Sequence, residues 1–209
     1  MILGAWAPLP SSGRLLDIGA GTGVLSLMAA QRFPALMIDS LEIDRTAARQ
    51  CSDNLHQSPW SDSFTVIPSS VQAWHGGPYD AIISNPPYFG GQHQSSGFTR
   101  NQARSGNHLG PESFIQQIER LLTASGTACI VIPNDERWLA AIRSRLIIHA
   151  GIAVSDVEDK TPKRLYLALK KSGKSVTPEP FPLKEDVNGR YSPWYKALTA
   201  EFHFPGAIR

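Results

Sequence analysis

The residues best suited to chemistry form a stiff motif, Asn85-Pro86-Pro87-Tyr88, which follows a predicted buried strand. The two prolines fix φ and hold the backbone rigid. The side-chain oxygen of Asn85 and the carbonyl oxygen of Pro86 can then accept two hydrogen bonds from one planar NH2 group. A conjugated amine such as adenine N6 attacks poorly until its hydrogens are drawn out of plane, and the same bonds stabilise the positive charge that develops on nitrogen. The motif therefore predicts a catalytic site that makes a conjugated amine nucleophilic.

The aromatic residues at the end of this motif offer a surface for a planar base. Tyr88 can stack on a base that has left its neighbours, and Phe89 can close the pocket. The structural alternative is an Asn-Pro turn followed by two core aromatics. That alternative explains a single dipeptide better than it explains the whole motif after a buried strand.

A second candidate site is the turn that carries Gly19, Gly21 and Gly23, between a predicted strand and a predicted helix. Glycines let the backbone approach a ligand closely. The spacing is G-x-G-x-G, not the G-x-G-x-x-G of dinucleotide sites, and Asp17 before the turn would repel a pyrophosphate but can accept from an ammonium group. Glu42, about two dozen residues after the first glycine, is positioned to accept from both ribose hydroxyls. The turn predicts a nucleoside ligand with a cationic amino-acid group, in preference to NAD.

Both sites depend on an alternation of apolar runs and amphipathic segments, which is typical of an α/β sheet with helices on its faces. The predicted strands cover residues 14–18, 35–42, 64–68, 79–84, 126–132, 153–158 and 164–170. The predicted helices cover residues 24–32, 46–57, 111–122 and 135–150. Residues 88–110 form a long polar connection, of the kind that usually carries function. Because both candidate sites follow strands, they are expected at the same carboxyl edge of the sheet.

Length and composition indicate a single domain over residues 1–209, with 42% apolar residues to build one core. Residues 172–182 are rich in lysine and proline, and the aromatics that follow are expected to pack back on the domain. Cys51 and Cys129 lack the spacing of a disulfide framework or a metal site, which favours a reduced cytoplasm and no metal. No segment is long and apolar enough to span a bilayer.

The charge balance permits contact with nucleic acid without requiring it, since the net charge is +2. Arg100 and Arg104 in the long loop could meet RNA phosphates, although polar loops are solvated by default. The densest basic cluster, residues 160–174, is either a solvated face or the rim of an RNA site.

The glycine turn and the Asn85-Pro86-Pro87-Tyr88 motif together resemble those of the class I amino-methyltransferases. This resemblance implies a Rossmann-like, doubly wound sheet of seven strands with an antiparallel last strand. Further, less specific matches resemble the bacterial tRNA-valine adenine-N6 methyltransferases. These matches lie at residues 3–8, 57–60, 85–89, 100–104, 191 and 198–202.

By this resemblance the methyl donor is S-adenosyl-L-methionine and the substrate is tRNA, at the adenine just 3′ of the anticodon. The expected catalytic residues are Asn85, Pro86, Pro87 and Tyr88. The expected donor contacts are Asp17, Gly19, Gly21, Gly23, Glu42, Ile43, Ser70 and Asn85. The expected substrate contacts are Tyr88, Phe89, Arg100 and Arg104.

Two positions depart from the pattern of that family. Its members usually carry a further stretch before the Leu3-Gly4-Ala5-Trp6 element, which closes over the methionine end of the donor. With Met1 as the start, either the sequence is truncated at its beginning or the donor site is more open. At Ser69-Ser70 the family commonly has an acidic residue that accepts from the adenine amine of the donor. A serine hydroxyl can accept there, more weakly.

Other functions remain compatible with the motif, because guanine N2 in ribosomal RNA, adenine in DNA and the glutamine amide of a protein all present a conjugated NH2 group. Site-specific DNA enzymes usually need an added recognition region, for which the chain has no spare length. A binding module for S-adenosylmethionine without turnover is a further alternative, against which the retained Asn85 and Tyr88 argue. Asp17 and the glycine spacing argue against an NAD-dependent oxidoreductase.

Overall fold

A computed structural model describes residues 1–86, 109–186 and 189–203, which build a mixed sheet with helices on both faces. The sheet order is β3-β2-β1-β4-β5-β7-β6-β8, and within it β7 is antiparallel to both of its neighbours. The strands are β1 (Ser12–Ile18), β2 (Ala35–Leu41), β3 (Phe64–Ile67), β4 (Tyr79–Ser84), β5 (Leu122–Pro133), β6 (Ile147–Val157), β7 (Arg164–Lys170) and β8 (Glu179–Lys184). The helices are α1 (Ile2–Trp6), α2 (Val24–Arg32), α3 (Arg45–His56), α4 (Pro111–Leu121), α5 (Glu136–Arg143) and α6 (Pro193–Thr199).

The predicted doubly wound sheet is confirmed, and each of the seven predicted strands corresponds to one of β1 to β7. The antiparallel orientation predicted for the seventh strand is also confirmed. An eighth strand, β8, was not predicted, because its sequence holds Pro180 and Pro182. Proline cannot donate to a ladder hydrogen bond, and β8 accommodates two prolines because it lies at the edge of the sheet beside β6.

The prediction of a helix over residues 135–150 was wrong in its second half. Helix α5 ends at Arg143, and Ile147 already begins β6. The apolar residues Leu146, Ile147 and Ile148, considered alone, fit both the helical period of 3.6 residues and the strand period of two. This segment forms a strand because β6 pairs with β7. Strand β7 lies too far along the chain for a local pattern to indicate the pairing.

The core has two layers because successive residues of each central strand point to opposite faces of the sheet. Leu15 of β1 packs with Ile83 of β4 in the layer beneath α1, α2 and α6. Leu16 and Ile82, the neighbouring residues, pack in the layer that contains the apolar faces of α4 and α5. Because the central strands are buried on both faces, they appear in the sequence as nearly continuous apolar runs.

The aromatic residues of the tail pack against the sheet as the sequence predicts. Trp194 of α6 stacks on Phe181 of β8 with ring centroids 4.7 Å apart. Tyr191 stacks on Tyr195 at 4.4 Å, and the Tyr195 side chain is buried. The first stack joins α6 to the edge strand β8, and the second joins α6 to Tyr191 just before it in the tail.

A polar network crosses the layer beneath α4, centred on the fully buried Tyr79. Its hydroxyl donates to Asp39 Oδ2 (2.7 Å) and accepts from Trp74 Nε1 (3.0 Å). Arg14 lies over the Tyr79 ring, 4.7 Å from its centroid, and pairs with Asp39. Burial and the bond to Asp39 raise the pKa of Tyr79 to about 12, so the hydroxyl stays protonated at neutral pH.

Replacing Tyr79 by phenylalanine is expected to lower the free energy of unfolding by about 1–3 kcal/mol, because the indole N–H of Trp74 loses its acceptor. Denaturation by guanidinium chloride measures this change. Tyr191→Phe is the matched control, since the Tyr191 hydroxyl forms no hydrogen bond within the described residues and its ring stack is kept. Equal losses in the two variants would contradict the role given to the network.

Three further features concern the part of the chain that the structure describes. None of its helices is long and apolar enough to cross a membrane. Its side chains form no group of three or more His, Cys, Asp or Glu residues arranged to hold a metal ion. Both Cys51 and Cys129 are buried free thiols.

Candidate active site

Four adjacent parallel strands end at the same level of the sheet. Ile18 of β1 pairs with Leu41 of β2 on one side and with Ser84 of β4 on the other. Leu41 in turn pairs with Ile67 of β3. Neighbouring strands lie about 4.8 Å apart, so the segments that follow them form one short row. The predicted site residues in this row are Asp17, Gly19, Gly21, Gly23, Glu42, Ile43, Ser70, Asn85 and Pro86.

The glycine turn leaves open space above its first two glycines. Gly19 and Gly21 have φ of 72° and 57°, and a Cβ atom at either would meet no atom of the described residues within 4 Å. Gly23, with φ of 88°, serves packing instead, because a Cβ there would lie 3.0 Å from Cys51 Sγ. Asn54 of α3 holds the turn by donating to the carbonyl of Thr22 (2.9 Å). The turn can therefore admit a ligand against bare backbone.

Glu42 is a buried carboxylate that the backbone holds in a fixed orientation. Its Oε2 accepts from the amide of Gly21 (2.8 Å) and its Oε1 accepts from the amide of Asp44 (2.8 Å). Each carboxylate oxygen has a second lone pair. Glu42 thus links the glycine turn to the start of α3 and can still accept from a pair of ligand hydroxyls.

Asp17 is fully buried near the end of β1. Its Oδ2 accepts from Ser26 Oγ of α2 (2.7 Å), and Ser26 Oγ lies 2.8 Å from Ser40 Oγ of β2. Its Oδ1 has no hydrogen-bond partner among the described residues. Burial, followed by the charge of Glu42, raises the pKa of Asp17 to about 7, against the opposing hydrogen bonds from Ser26. A buried carboxylate with one unpaired oxygen is suited to an ammonium group.

The segments after β2 and β3 border the same space. Ile43 is an apolar side chain left 57% exposed directly beside the buried Glu42, which suits the face of an aromatic ring. Ser70 is half-buried after β3, and its hydroxyl oxygen accepts a long hydrogen bond from the amide of Ala73 (3.3 Å). One lone pair of Ser70 is left to accept from a ligand amine.

The first half of the amine-activating motif lies at the end of β4. Ser84 is buried and its hydroxyl donates to the carbonyl of Ile18 (2.7 Å), which ties β4 to the strand that leads into the glycine turn. Asn85 is exposed and Pro86 is buried. The exposed amide of Asn85 therefore lies next to the glycine turn, on a backbone that its neighbours anchor.

Several predicted site residues lie outside the described residues. They are Pro87, Tyr88, Phe89, Arg100 and Arg104. Their assignment to catalysis or substrate contact stays a prediction from the sequence.

Three serines form hydrogen bonds at this site and were not predicted from the sequence. Ser26 and Ser40 contact Asp17 directly or through one hydroxyl, and Ser84 joins β4 to β1. The available signal was a small polar residue at a buried position of an apolar strand or helix. Such a residue needs a hydrogen-bond partner inside the protein.

The basic cluster predicted over residues 160–174 is divided by the fold. Strand β7 begins with Arg164 at the carboxyl edge of β5 and ends with Lys170 at the opposite edge of the sheet. Lys163 forms an ion pair with Asp156. The cluster is contiguous in the chain but does not form one surface beside the site.

Comparisons with known proteins agree with this geometry. The family described as methyltransferase small domain matches residues 5–146. A protein of Shewanella loihica named tRNA1(Val) (adenine(37)-N6)-methyltransferase is 37% identical, covering 97% of this chain and 89% of its own. A protein of Bacteroides fragilis with the same name is 36% identical, over 97% of this chain and 88% of its own.

Solved structures show the same fold at low sequence identity. One, titled a predicted O-methyltransferase from Agrobacterium tumefaciens, has a TM-score of 0.72 at 17% identity and covers 95% of this chain and 94% of its own. Another, geranyl diphosphate C-methyltransferase from Streptomyces coelicolor in complex with S-adenosyl-L-homocysteine, has a TM-score of 0.58 at 12% identity, over 82% of this chain and 78% of its own.

Proposed function

The chain belongs to the methyltransferase small domain family and, within it, to the tRNA1(Val) (adenine(37)-N6)-methyltransferases, and on this premise we propose that it methylates adenine N6 next to the anticodon of tRNA. The methyl donor is S-adenosyl-L-methionine. The observation that carries the proposal is the strand register, which aligns the ends of β1, β2 and β4. A nucleoside cradle and an amine acceptor thereby share one edge of the sheet. The whole chain is proposed to act as one methyltransferase domain.

Residues at or just beyond the ends of β1, β2 and β3 fit the three parts of this donor. Bound S-adenosylmethionine supplies an electrophilic methyl group on a sulfonium centre. Gly19 and Gly21 give bare backbone and open space for it, and Glu42 offers two oriented oxygens to ribose hydroxyls. The unpaired Oδ1 of Asp17 is proposed to accept from the ammonium group. Ile43 and Ser70 are proposed to line the adenine.

The acceptor amine is proposed to be activated at Asn85 and Pro86. The Asn85 side-chain oxygen and the Pro86 carbonyl accept the two hydrogens of adenine N6, which turns the nitrogen lone pair toward the methyl group. The same two bonds strengthen as positive charge develops on nitrogen. No side chain has to act as a strong base, because the amine proton becomes acidic once the methyl group is attached.

The tRNA substrate is proposed for two reasons. The relatives share the name of a tRNA methyltransferase, and the Asn85-Pro86 motif is suited to a conjugated amine. Tyr88 and Phe89 are proposed to stack with the target base, and Arg100 and Arg104 to contact phosphates. The test is transfer of a labelled methyl group from S-adenosylmethionine to tRNA that lacks the modification. Ribosomal RNA, total protein and the same tRNA with that adenine replaced are run in parallel. Label in the replaced tRNA, in ribosomal RNA or in protein would overturn the assignment.

Replacing Glu42 by alanine is expected to weaken S-adenosylmethionine binding by about 1.5 to 3 kcal/mol, roughly 10- to 100-fold in Kd, because hydrogen bonds to a desolvated carboxylate are lost. Isothermal titration calorimetry measures this change. The control is Asp44→Ala, which removes the cap on Thr46 and Ala47 at the start of α3 but no proposed donor contact. Unchanged affinity in Glu42→Ala would remove Glu42 from the donor site.

A further inference from the structure

A chain of buried hydroxyl groups lies beside the glycine turn and ends on Asp17. It runs from Ser40 of β2 through Ser26 of α2 to Oδ2 of Asp17, with oxygen separations of 2.8 and 2.7 Å. All three side chains are 0% exposed. Three secondary-structure elements thus each contribute one polar group to an otherwise apolar layer, where a polar group is costly unless it is paired.

The direction of these hydrogen bonds depends on the charge of Asp17. An ionised carboxylate only accepts, so Ser26 must donate its single hydrogen to Oδ2 and can only accept from Ser40. Ser40 is then the donor to Ser26. If Asp17 carried a proton on Oδ2, it would donate to Ser26 and the chain could reverse. When Ser40 donates to Ser26 and Ser26 donates to Oδ2, these hydrogen bonds therefore stabilise the ionised form of Asp17 from one side of the carboxyl group.

The other side of the same carboxyl group has no partner in the part of the chain that the structure describes. Asp17 Oδ1 is buried and accepts no hydrogen bond from the described residues. We propose that Ser26 and Ser40 are positioning residues for the methyl donor, which hold Asp17 ionised through Oδ2 and reserve Oδ1 for the donor's ammonium group. The inference rests on the proposed function only in naming that donor.

Opposing influences set the charge of Asp17 near neutral pH. Burial and Glu42 favour the protonated form, and Ser26 favours the ionised form, with the pKa at about 7. Cys51 of α3 also faces this region, and its thiol is neutral because burial, Asp17 and Glu42 raise its pKa to about 11. The charged groups on the neighbouring helix and strand have other partners: Arg32 donates to the carbonyls of Gly4 and Ala7, and Asp39 accepts from Tyr79 and Arg14.

The sign of the pH dependence follows from the direction of this shift. The pKa of Asp17 in the folded protein lies above its ordinary value of 3.8, so the folded chain binds the proton more tightly than the unfolded chain. Asp17 therefore lowers stability as pH rises from about 4 to about 7. Donor binding has the opposite dependence, since the ammonium group needs the ionised carboxylate and is bound more weakly below pH 7.

The first measurement needs no ligand. In protein labelled at the aspartate carboxyl carbons, the NMR titration of Asp17 is followed in the wild type and in two variants. Ser26→Ala removes the hydroxyl that donates to Oδ2 and is expected to raise the Asp17 pKa by about one unit or more, as loss of a hydrogen bond to a charged group should. Ser40→Ala is expected to give a smaller shift in the same direction. Ser155→Ala is the matched control, because Ser155 is also a buried strand serine but donates to the carbonyl of Val157.

The second measurement uses two probes that differ in the ammonium group. S-adenosylhomocysteine carries the amino-acid moiety, whereas 5′-methylthioadenosine keeps the nucleoside and lacks it. With a one-unit pKa shift, Ser26→Ala should bind S-adenosylhomocysteine about fivefold more weakly at pH 7 and nearly as well as wild type at pH 9. Its affinity for 5′-methylthioadenosine should not change at either pH.

The outcomes separate this inference from the proposed function. An Asp17 titration that is the same in the wild type, Ser26→Ala and Ser40→Ala would overturn it, as would an equal loss of affinity for both probes, which indicates a merely structural role. Failure of the wild type to bind S-adenosylhomocysteine would instead refute the assigned donor, while the titration would still report on the hydroxyl chain.

Discussion

Alanine in place of Asn85 is expected to lower the single-turnover rate of methyl transfer by about 100-fold or more, while the affinity for S-adenosylmethionine changes little. The amide oxygen accepts from the target amine, and this bond strengthens only as positive charge develops on nitrogen. Its loss therefore raises the barrier without weakening the ground state much. The measurement is single-turnover methylation of unmodified tRNA at saturating donor.

The control for this variant is Asn134→Ala. Asn134 follows β5, the strand next to β4, and donates to the carbonyl of Pro162 at 3.0 Å. It offers the same side chain beyond the carboxyl end of a neighbouring strand, without a proposed role in the reaction. A rate for Asn85→Ala within a few-fold of wild type would refute the catalytic assignment, because no other described side chain is proposed to accept from the amine.

Gly21→Ala is expected to weaken S-adenosylmethionine binding by roughly 10- to 100-fold, the range that overpacking of a close contact produces. In the free protein the added Cβ meets no atom within 4 Å among residues 1–86, 109–186 and 189–203. Only the left-handed backbone, with φ of 57°, disfavours alanine, at about 1–2 kcal/mol of stability. The larger loss should appear in binding, because the new methyl group occupies the space against which the donor must lie.

Calorimetry and thermal unfolding of the same variant distinguish the two effects. Gly189→Ala is the matched control: φ there is 97°, and among the described atoms an added Cβ would meet only Lys184 Nζ, at 3.9 Å. It should show a similar loss of stability and unchanged donor affinity. If Gly21→Ala bound the donor as well as Gly189→Ala does, the open space at the turn would not be the donor site.

The parts of the fold that the sequence predicted correctly are those in which local pattern and tertiary environment agree. Strands buried on both faces are mostly apolar, so β1, β4 and β5 are visible as runs bounded by turn residues. Helix α2 is bounded correctly because Gly23 precedes it and its apolar residues recur at helical spacing. The segment after Arg143 failed because its apolar residues suit both periods, and β8 failed because its prolines are tolerated only at an edge.

The sequence by itself determined the chemistry that the site can perform. A rigid acceptor pair at Asn85 and Pro86, bare backbone at the glycine turn, and carboxylates at Asp17 and Glu42 are properties of residue types. Each lies at or just after the end of a strand that local pattern predicts. The reason is that the hydrogen-bonding groups and the backbone freedom of a residue depend on its type and not on its position in the fold.

Only the tertiary structure decided which of these groups meet. Strand order and register result from pairing between distant segments, so the alignment of Ile18 with Leu41 and Ser84 could not be read from any local period. The contact of Asp17 with Ser26, and through it with Ser40, depends on the same packing. It was likewise the antiparallel course of β7 that divided a basic cluster contiguous in the chain, because the direction of a strand is set by its neighbours in the sheet.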